Sequence, residues 1–113
     1  MSMNNLSFYA YHGCLPEESI IGGNYLVDLN IFTDYIAAAK NDDLALTVNY
    51  CSVYEIVKTE MMIRSKLIES VAFRIASSLK KNLSAINRVE VKVTKVTPPV
   101  NGDVPSVSVT YII

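Results

Sequence analysis

The apolar residues of this 113-residue chain change their spacing twice, and that change restricts the fold more than any other feature. In residues 25–32 they recur at every second position, which is the period of a β-strand with one buried face. Between residues 49 and 82 they recur at the three- and four-residue spacing of an amphipathic helix. After residue 88 the period of two returns. Strands at both ends therefore enclose a helical middle.

Six elements follow from this pattern, in the order ββααββ. The strands are predicted in the segments 6–11, 25–31, 89–95 and 107–111. The helical stripes are Val53, Ile56, Val57 and Met61, and then Ile68, Val71, Ala72, Ile75 and Leu79. Ser65 is the predicted N-cap of the second helix.

This order predicts an α+β fold in which a four-stranded antiparallel sheet is covered on one face by two helices. The length suits a single domain, residues 1–113, and is too short for two. The other face of the sheet mixes polar and apolar residues, so we expect it to face solvent or a wet cavity. The terminal strands leave open edges, and association with further copies is one way to cover them.

Composition argues against several classes of function. Ten basic and eleven acidic residues give a net charge of −1, so we expect no basic surface for nucleic acid or for an anionic membrane. The N-terminal residues have neither the basic start nor the apolar core of a signal peptide or membrane span. Cys14 and Cys51 are too few for a disulfide framework, and we expect a cytoplasmic protein with reduced thiols.

Motifs for metals and cofactors are missing as well. His12 is the single histidine, and with two scattered cysteines it cannot easily complete a zinc site of three or four ligands. The sequence has no phosphate-binding loop, no dinucleotide glycine fingerprint and no nucleophile elbow. We therefore expect neither a bound metal nor a cofactor.

Two charged residues fall on faces that should be apolar. Lys95 continues the alternation of segment 89–93 toward the helices, and Glu69 borders the stripe of the second helix. Each has a purely structural interpretation, because a strand-end lysine can extend to water and a helix dipole favours an acidic residue in the first turn. Glu18 as a loop carboxylate and Tyr50 as a half-buried tyrosine are equally ordinary when taken alone.

Taken together, however, these residues lie in four short segments that follow a family pattern. The segments are Phe8-Tyr9-Ala10-Tyr11-His12-Gly13 followed by Glu18 and Gly22, Thr47-Val48-Asn49-Tyr50, Leu67-Ile68-Glu69 followed by Ala72, and Val93-Thr94-Lys95-Val96-Thr97-Pro98-Pro99. In this order and spacing they resemble the dihydroneopterin aldolase family over nearly the whole chain.

The resemblance implies a lyase of folate biosynthesis. It would cleave 7,8-dihydroneopterin by a retro-aldol reaction into 6-hydroxymethyl-7,8-dihydropterin and glycolaldehyde, without metal or Schiff base, and with a 2′-epimerase side activity as an option. The implied catalytic residues are Lys95, Tyr50 and Glu18. The implied residues for binding the pterin are Glu69, Ile68, Val48 and Thr47.

The resemblance also implies the tunnelling fold, in which subunits join their sheets into a barrel. Two tetrameric rings would stack into a homo-octamer whose active sites lie between neighbouring subunits. Tyr50 is then expected to come from the neighbouring subunit.

Other functions remain open at this point. An epimerase acting at C2′ of dihydroneopterin or its triphosphate would use the same intermediate, although the sequence has no Lys or Arg cluster for a triphosphate. A non-catalytic oligomer that binds pterins would need only the anchoring carboxylate, and a structural protein would need no ligand at all. The zinc-dependent relatives of this fold are disfavoured by the missing histidines.

Overall fold

The computed structural model describes residues 1–113 and contains the predicted four-stranded sheet. Its strands are β1 (Ser2–Ala10), β2 (Gly23–Phe32), β3 (Arg88–Val96) and β4 (Ser106–Ile112). Its helices are α1 (Glu18–Ile21), α2 (Ile36–Asn41), α3 (Tyr50–Met61) and α4 (Ile68–Asn82). All neighbouring strands are antiparallel, in the spatial order β1-β2-β3-β4. The α+β class, the four strands and the two long helices α3 and α4 are confirmed.

The predicted order ββααββ is incomplete, because α1, α2 and a 3₁₀ turn at Leu44–Leu46 lie in segments where the pattern predicts no helix. The reason is their lack of buried side chains. α1 buries none and α2 buries only Ala38, so neither produces an apolar stripe that the sequence could reveal.

The predicted N-cap of the second long helix is wrong. α4 begins at Ile68, and the residue before it, Leu67, makes no side-chain capping hydrogen bond. Ser65 is used differently: its Oγ accepts a hydrogen bond from Arg74 Nη2 at 3.0 Å, and its backbone N–H donates to His12 Nδ1 at 3.0 Å. The turn before α4 is therefore tied to the loop that follows β1.

One hydrophobic core lies between the sheet and the long helices. The sheet contributes Val27, Leu29, Ile31, Val89, Val91 and Val93, each at most 1% exposed. The helices contribute Val53, Val57, Met61, Val71, Ala72, Ile75, Ala76 and Leu79, each at most 2% exposed. α4 packs on β3 and β4, and α3 packs on α4 and β1. The apolar face of the sheet and the apolar faces of the two long helices thus pack together in one layer, as predicted.

The remaining surface is larger than that of a self-contained monomer. The chain exposes 6884 Å², whereas a monomer of this mass exposes about 6,200 Å². Its radius of gyration is 15.4 Å, compared with about 13 Å for a compact chain of this length. β1 and β4 are both unpaired along one edge, and no residue of β4 is fully buried. None of the helices is both long and apolar enough to span a membrane.

Candidate active site

Lys95 lies near the end of β3, on the face of the sheet that the helices cover. Its side chain is only 15% exposed, and its ammonium group contacts the carboxylate of Glu18. Lys95 Nζ also donates a hydrogen bond to the backbone oxygen of His12 at 3.1 Å. The structural interpretation of Lys95 as a strand-end lysine that extends to water is therefore wrong.

Glu18, the first residue of α1, is the partner of Lys95, and its side chain is 14% exposed. Its second oxygen, Oε2, accepts a hydrogen bond from the Leu15 backbone N–H at 3.1 Å. Desolvation by burial works against the ionised carboxylate. The hydrogen bond from Lys95 outweighs it, together with the Leu15 bond and the charges of Lys95 and Arg64, so the pKa of Glu18 lies below its ordinary value. The Glu18 carboxylate is therefore ionised at neutral pH.

Gly13 makes room for this pair. A Cβ atom at residue 13 would lie 1.7 Å from Oε2 of Glu18, and the backbone φ of +147° is one that residues with side chains rarely adopt. The backbone conformation and the position of the glutamate together favour glycine at residue 13. This explains in physical terms why these two residues and Glu18 belong to one motif.

The carbonyl groups of three consecutive residues in this loop are fixed by side chains. Arg64 donates from Nε to the Tyr11 oxygen at 2.9 Å and from Nη2 to the Gly13 oxygen at 2.8 Å. The His12 oxygen between them accepts from the Tyr25 hydroxyl at 2.7 Å and from Lys95. These hydrogen bonds fix the orientation of the three carbonyl groups, and the His12 carbonyl in turn positions the Lys95 ammonium group.

The His12 ring itself is structural, as its place before a glycine suggests. It is 1% exposed and packs edge-on against the ring of Tyr25, with centroids 5.1 Å apart. Burial, followed by the charge of Arg74, lowers its pKa from 6.5 to about 4. The imidazole is therefore neutral at pH 7, with Nδ1 accepting from Ser65 and Nε2 left without a hydrogen-bond partner.

A cavity of about 270 Å³ brings together four of the seven predicted site residues: Glu18, Ile68, Glu69 and Lys95. Glu69 lies in the first turn of α4, and its carboxylate makes no hydrogen bond or ion pair with the rest of the chain. Its oxygens are free to accept hydrogen bonds from a ligand. No three His, Cys, Asp or Glu side chains gather into a group that could hold a metal ion.

The other three predicted residues lie elsewhere in the chain. Thr47 and Val48 line a separate cavity of about 540 Å³ beside the loop after α4. Tyr50, the first residue of α3, is 60% exposed and lines neither cavity. A single chain therefore presents the predicted site in two separate parts.

Sequence reasoning missed Tyr25 and Arg64. Tyr25 fits the alternation of β2 so well that it looks like an ordinary core residue, and Arg64 lies in a turn without pattern. The antiparallel register pairs Tyr25 with Lys95 across β2 and β3. That pairing was the available signal, but it depends on knowing the register.

This fold and this site define the class of protein: a small α+β enzyme with a sheltered lysine–glutamate pair suited to proton transfer, next to a carboxylate free to bind a ligand. Residues 1–112 match the family model described as FolB, dihydroneopterin aldolase. A dihydroneopterin aldolase of Staphylococcus epidermidis is 36% identical over 111 residues, which cover 97% of this chain and 92% of the relative. The chain belongs to the dihydroneopterin aldolase family.

Two solved structures are similar in fold. The dihydroneopterin aldolase of E. coli, in complex with neopterin, has a TM-score of 0.91 at 24% identity and covers 100% of this chain and 96% of its own. The dihydroneopterin aldolase of Burkholderia thailendensis, bound to guanine, has a TM-score of 0.79 at 20% identity, with coverages of 100% and 88%. The family predicted from the four sequence segments is confirmed, and with it the activity class of a carbon–carbon lyase acting as a dihydroneopterin aldolase.

Proposed function

We propose that this protein cleaves the side chain of 7,8-dihydroneopterin between C1′ and C2′, releasing glycolaldehyde and 6-hydroxymethyl-7,8-dihydropterin. The observation that carries the proposal is the Lys95–Glu18 pair in one cavity with the uncommitted carboxylate of Glu69. A retro-aldol reaction needs a proton-transfer group close to a group that holds the substrate ring, and these residues supply both.

The reaction begins with removal of the 2′-hydroxyl proton, which we assign to Lys95 in its neutral amine form, reached when the ammonium group releases one proton to water. The C1′–C2′ bond then breaks, C2′ leaves as the aldehyde carbon, and the electron pair passes from C1′ into the C=N bond of the dihydropterin. Protonation at C1′ completes the second product, and we assign Tyr50 to this proton relay. Glu18 keeps Lys95 in place and orients the substrate hydroxyls or a water. Acid–base groups of this kind contribute about 10²–10⁴-fold each.

Because the pterin ring accepts the electron pair, the reaction needs neither a metal ion nor a lysine Schiff base. The missing cluster of metal ligands in the chain supports the first part of this proposal. The second part rests on the substrate, because its C=N bond already takes up the electron pair that a Schiff base would otherwise hold. Borohydride added during turnover should leave the mass of the protein unchanged, whereas a Schiff base would be trapped as a stable adduct.

Glu69 is the proposed anchor for the ring. A carboxylate can accept from the 2-amino group and the ring N–H of a pterin at the same time. The neopterin and guanine bound to the two structural relatives carry this pair of donors, which supports the assignment. Ile68 lies beside Glu69, and Thr47 and Val48 complete the pocket from another subunit.

The proposed assembly is a homo-octamer of two stacked tetramers, with sheets joined into a barrel and active sites between subunits. Three features support it: the excess surface of the single chain, the open edges of β1 and β4, and the exposed position of Tyr50. Bringing the Tyr50 part of one chain to the Lys95 part of the next would complete a site that neither contains alone.

The activity is tested by incubating chelator-treated protein with 7,8-dihydroneopterin and separating the products by chromatography. Equal amounts of glycolaldehyde and 6-hydroxymethyl-7,8-dihydropterin are expected. The 2′ epimer as a minor product would add the epimerase side activity, and the epimer alone would replace the aldolase assignment. Unchanged substrate, in a mixture that an established aldolase converts, would favour a non-catalytic pterin-binding oligomer.

The location of the site is tested by complementation. Tyr50→Phe and Lys95→Ala should each be inactive alone, but subunits of the two variants mixed in one oligomer should regain about a quarter of the wild-type sites. The matched control is a mixed oligomer of Tyr50→Phe subunits that carry two different tags, and it should regain no activity. If the mixed oligomer is as inactive as its parents, the site does not combine Tyr50 and Lys95 from different subunits.

A further inference from the structure

Tyr25 is a buried aromatic residue beside the lysine–glutamate pair. It is 1% exposed, and it lies opposite Lys95 in the register of β2 and β3. Its hydroxyl donates to the backbone oxygen of His12 at 2.7 Å, and Lys95 Nζ donates to that same oxygen at 3.1 Å. One carbonyl therefore accepts from both side chains.

The mechanism above uses only one of these two donors. Lys95 must leave the His12 oxygen when it turns toward a substrate hydroxyl, because its proton transfer requires contact with that hydroxyl. A carbonyl oxygen has two lone pairs, and a buried one left without a donor is energetically costly. Without the Tyr25 hydroxyl, the movement of Lys95 would leave the His12 carbonyl without a donor and would raise the free energy of that step.

We propose that the Tyr25 hydroxyl is a positioning group for Lys95. It keeps the His12 carbonyl hydrogen-bonded, so the Lys95 side chain can move from this carbonyl to the substrate. The inference rests on the proposed function, which it deepens. Tyr25 acts through Lys95 and touches no substrate. Its contribution therefore belongs to turnover and not to binding of the pterin.

The surroundings of Tyr25 fit this role. Burial raises the pKa of Tyr25 above its ordinary value despite the nearby charge of Lys95, so the phenol keeps its proton and stays a donor. Its ring is fixed by the edge-on contact with His12, and Lys95 Nζ lies 5.8 Å from the ring centroid. Arg64 holds the carbonyls on either side but not that of His12, which leaves this one to Tyr25 and Lys95.

The first test is Tyr25→Phe, which removes the hydroxyl and keeps the ring. We expect kcat to fall about 10-fold, a loss typical of a buried hydrogen bond whose acceptor stays behind, and KM to stay within about 2-fold. Tyr54→Phe is the matched control, because it removes a phenol hydroxyl that contacts neither Lys95 nor His12, and it should leave both constants unchanged. A rise in KM with unchanged kcat would overturn the proposal.

The second test asks whether the effect passes through Lys95. In a Lys95→Ala background, Tyr25→Phe should lower the residual rate by less than about 2-fold, since the two changes act on one group. A hydroxyl that serves only the fold would cost the same factor in both backgrounds, and that result would overturn the proposal. If Tyr25→Phe folds poorly, 4-aminophenylalanine at position 25 should retain kcat and 4-fluorophenylalanine should not, because only the first has a donor.

The third test needs no turnover. With Tyr25 gone, Lys95 is the only donor left to the His12 carbonyl, so it should be held there and react several-fold more slowly with acetic anhydride than in the wild type. Faster acetylation of Lys95, read by mass spectrometry, would indicate a loosened site and refute the positioning role. This readout stays valid if the wild type releases no glycolaldehyde, so the failure of the proposed function and the failure of this inference are distinguishable.

Discussion

The buried histidine makes a quantitative prediction about acid stability. His12 keeps its neutral form in the folded chain because burial removes water from the ring, and the charges of Arg74, Lys95 and Arg64 add to the effect, while the Met61 carbonyl opposes it. The folded pKa is about 4 against an ordinary value of 6.5. As pH falls below 6.5 the unfolded chain takes up a proton that the folded chain does not, so the folded state loses stability.

The size of the loss follows from the two pKa values. The full difference corresponds to about 3 kcal/mol, and about 2 kcal/mol of it is lost between about pH 7 and pH 5. Glu18 adds to the acid lability in the same direction, because its lowered pKa also means that the unfolded chain protonates first. That contribution begins only near and below its ordinary pKa of 4.5, so the window above pH 5 isolates the histidine.

The assay is urea denaturation at a fixed protomer concentration, at several pH values in this window, for the wild type and for His12→Asn. Asparagine offers an oxygen near the position of Nδ1 to accept from Ser65 but does not titrate. The wild type should lose about 2 kcal/mol more than the variant across the window. Equal slopes for the two proteins would show that His12 is not held neutral by the fold, and the reasoning about its burial would be wrong.

Three further outcomes are expected. Lys95→Arg keeps the charge beside Glu18, but arginine cannot give up a proton. The kcat should therefore fall about 10²–10⁴-fold, while pterin binding measured by fluorescence is retained. Near-normal turnover would show that Lys95 has only an electrostatic role. Glu69→Gln should weaken neopterin binding about 10- to 100-fold in a fluorescence titration, since it replaces a charged acceptor, and unchanged affinity would remove Glu69 as the anchor. Gly13→Ala should lower both the melting temperature and kcat because its Cβ would overlap the Glu18 carboxylate, while Gly102→Ala, where a Cβ meets no atom within 4 Å, is the control.

The fold was predictable where local pattern and burial coincide. The strands of the sheet and the helices α3 and α4 each place apolar residues on one face, so their periods are visible in the sequence. α1 and α2 bury almost nothing and have no period. The absence of α1 from the prediction matters, because this helix begins with Glu18.

The candidate site was predictable in its residue types but not in its connections. Lys95 and Glu69 stood out because charge on an apolar face requires an explanation. The family resemblance implied that Glu18 and Lys95 are catalytic, and the ion pair between them became evident only in three dimensions. Ser65 was misassigned because a serine just before a helix suggests a cap, whereas its actual partners are Arg74 and His12.

The sequence by itself therefore determined the class of fold, the family and the identity of the ionisable groups, because hydrophobic period and short motifs are local properties of the chain. Only the tertiary structure decided that Tyr25 and Lys95 meet at the carbonyl oxygen of His12, and that Glu18 contacts Lys95. The physical reason is distance along the chain: residues 77 and 83 positions apart are joined by sheet register and helix packing, which no local pattern specifies. A hydrogen bond to a backbone oxygen also cannot be predicted from residue type, since every residue has that oxygen.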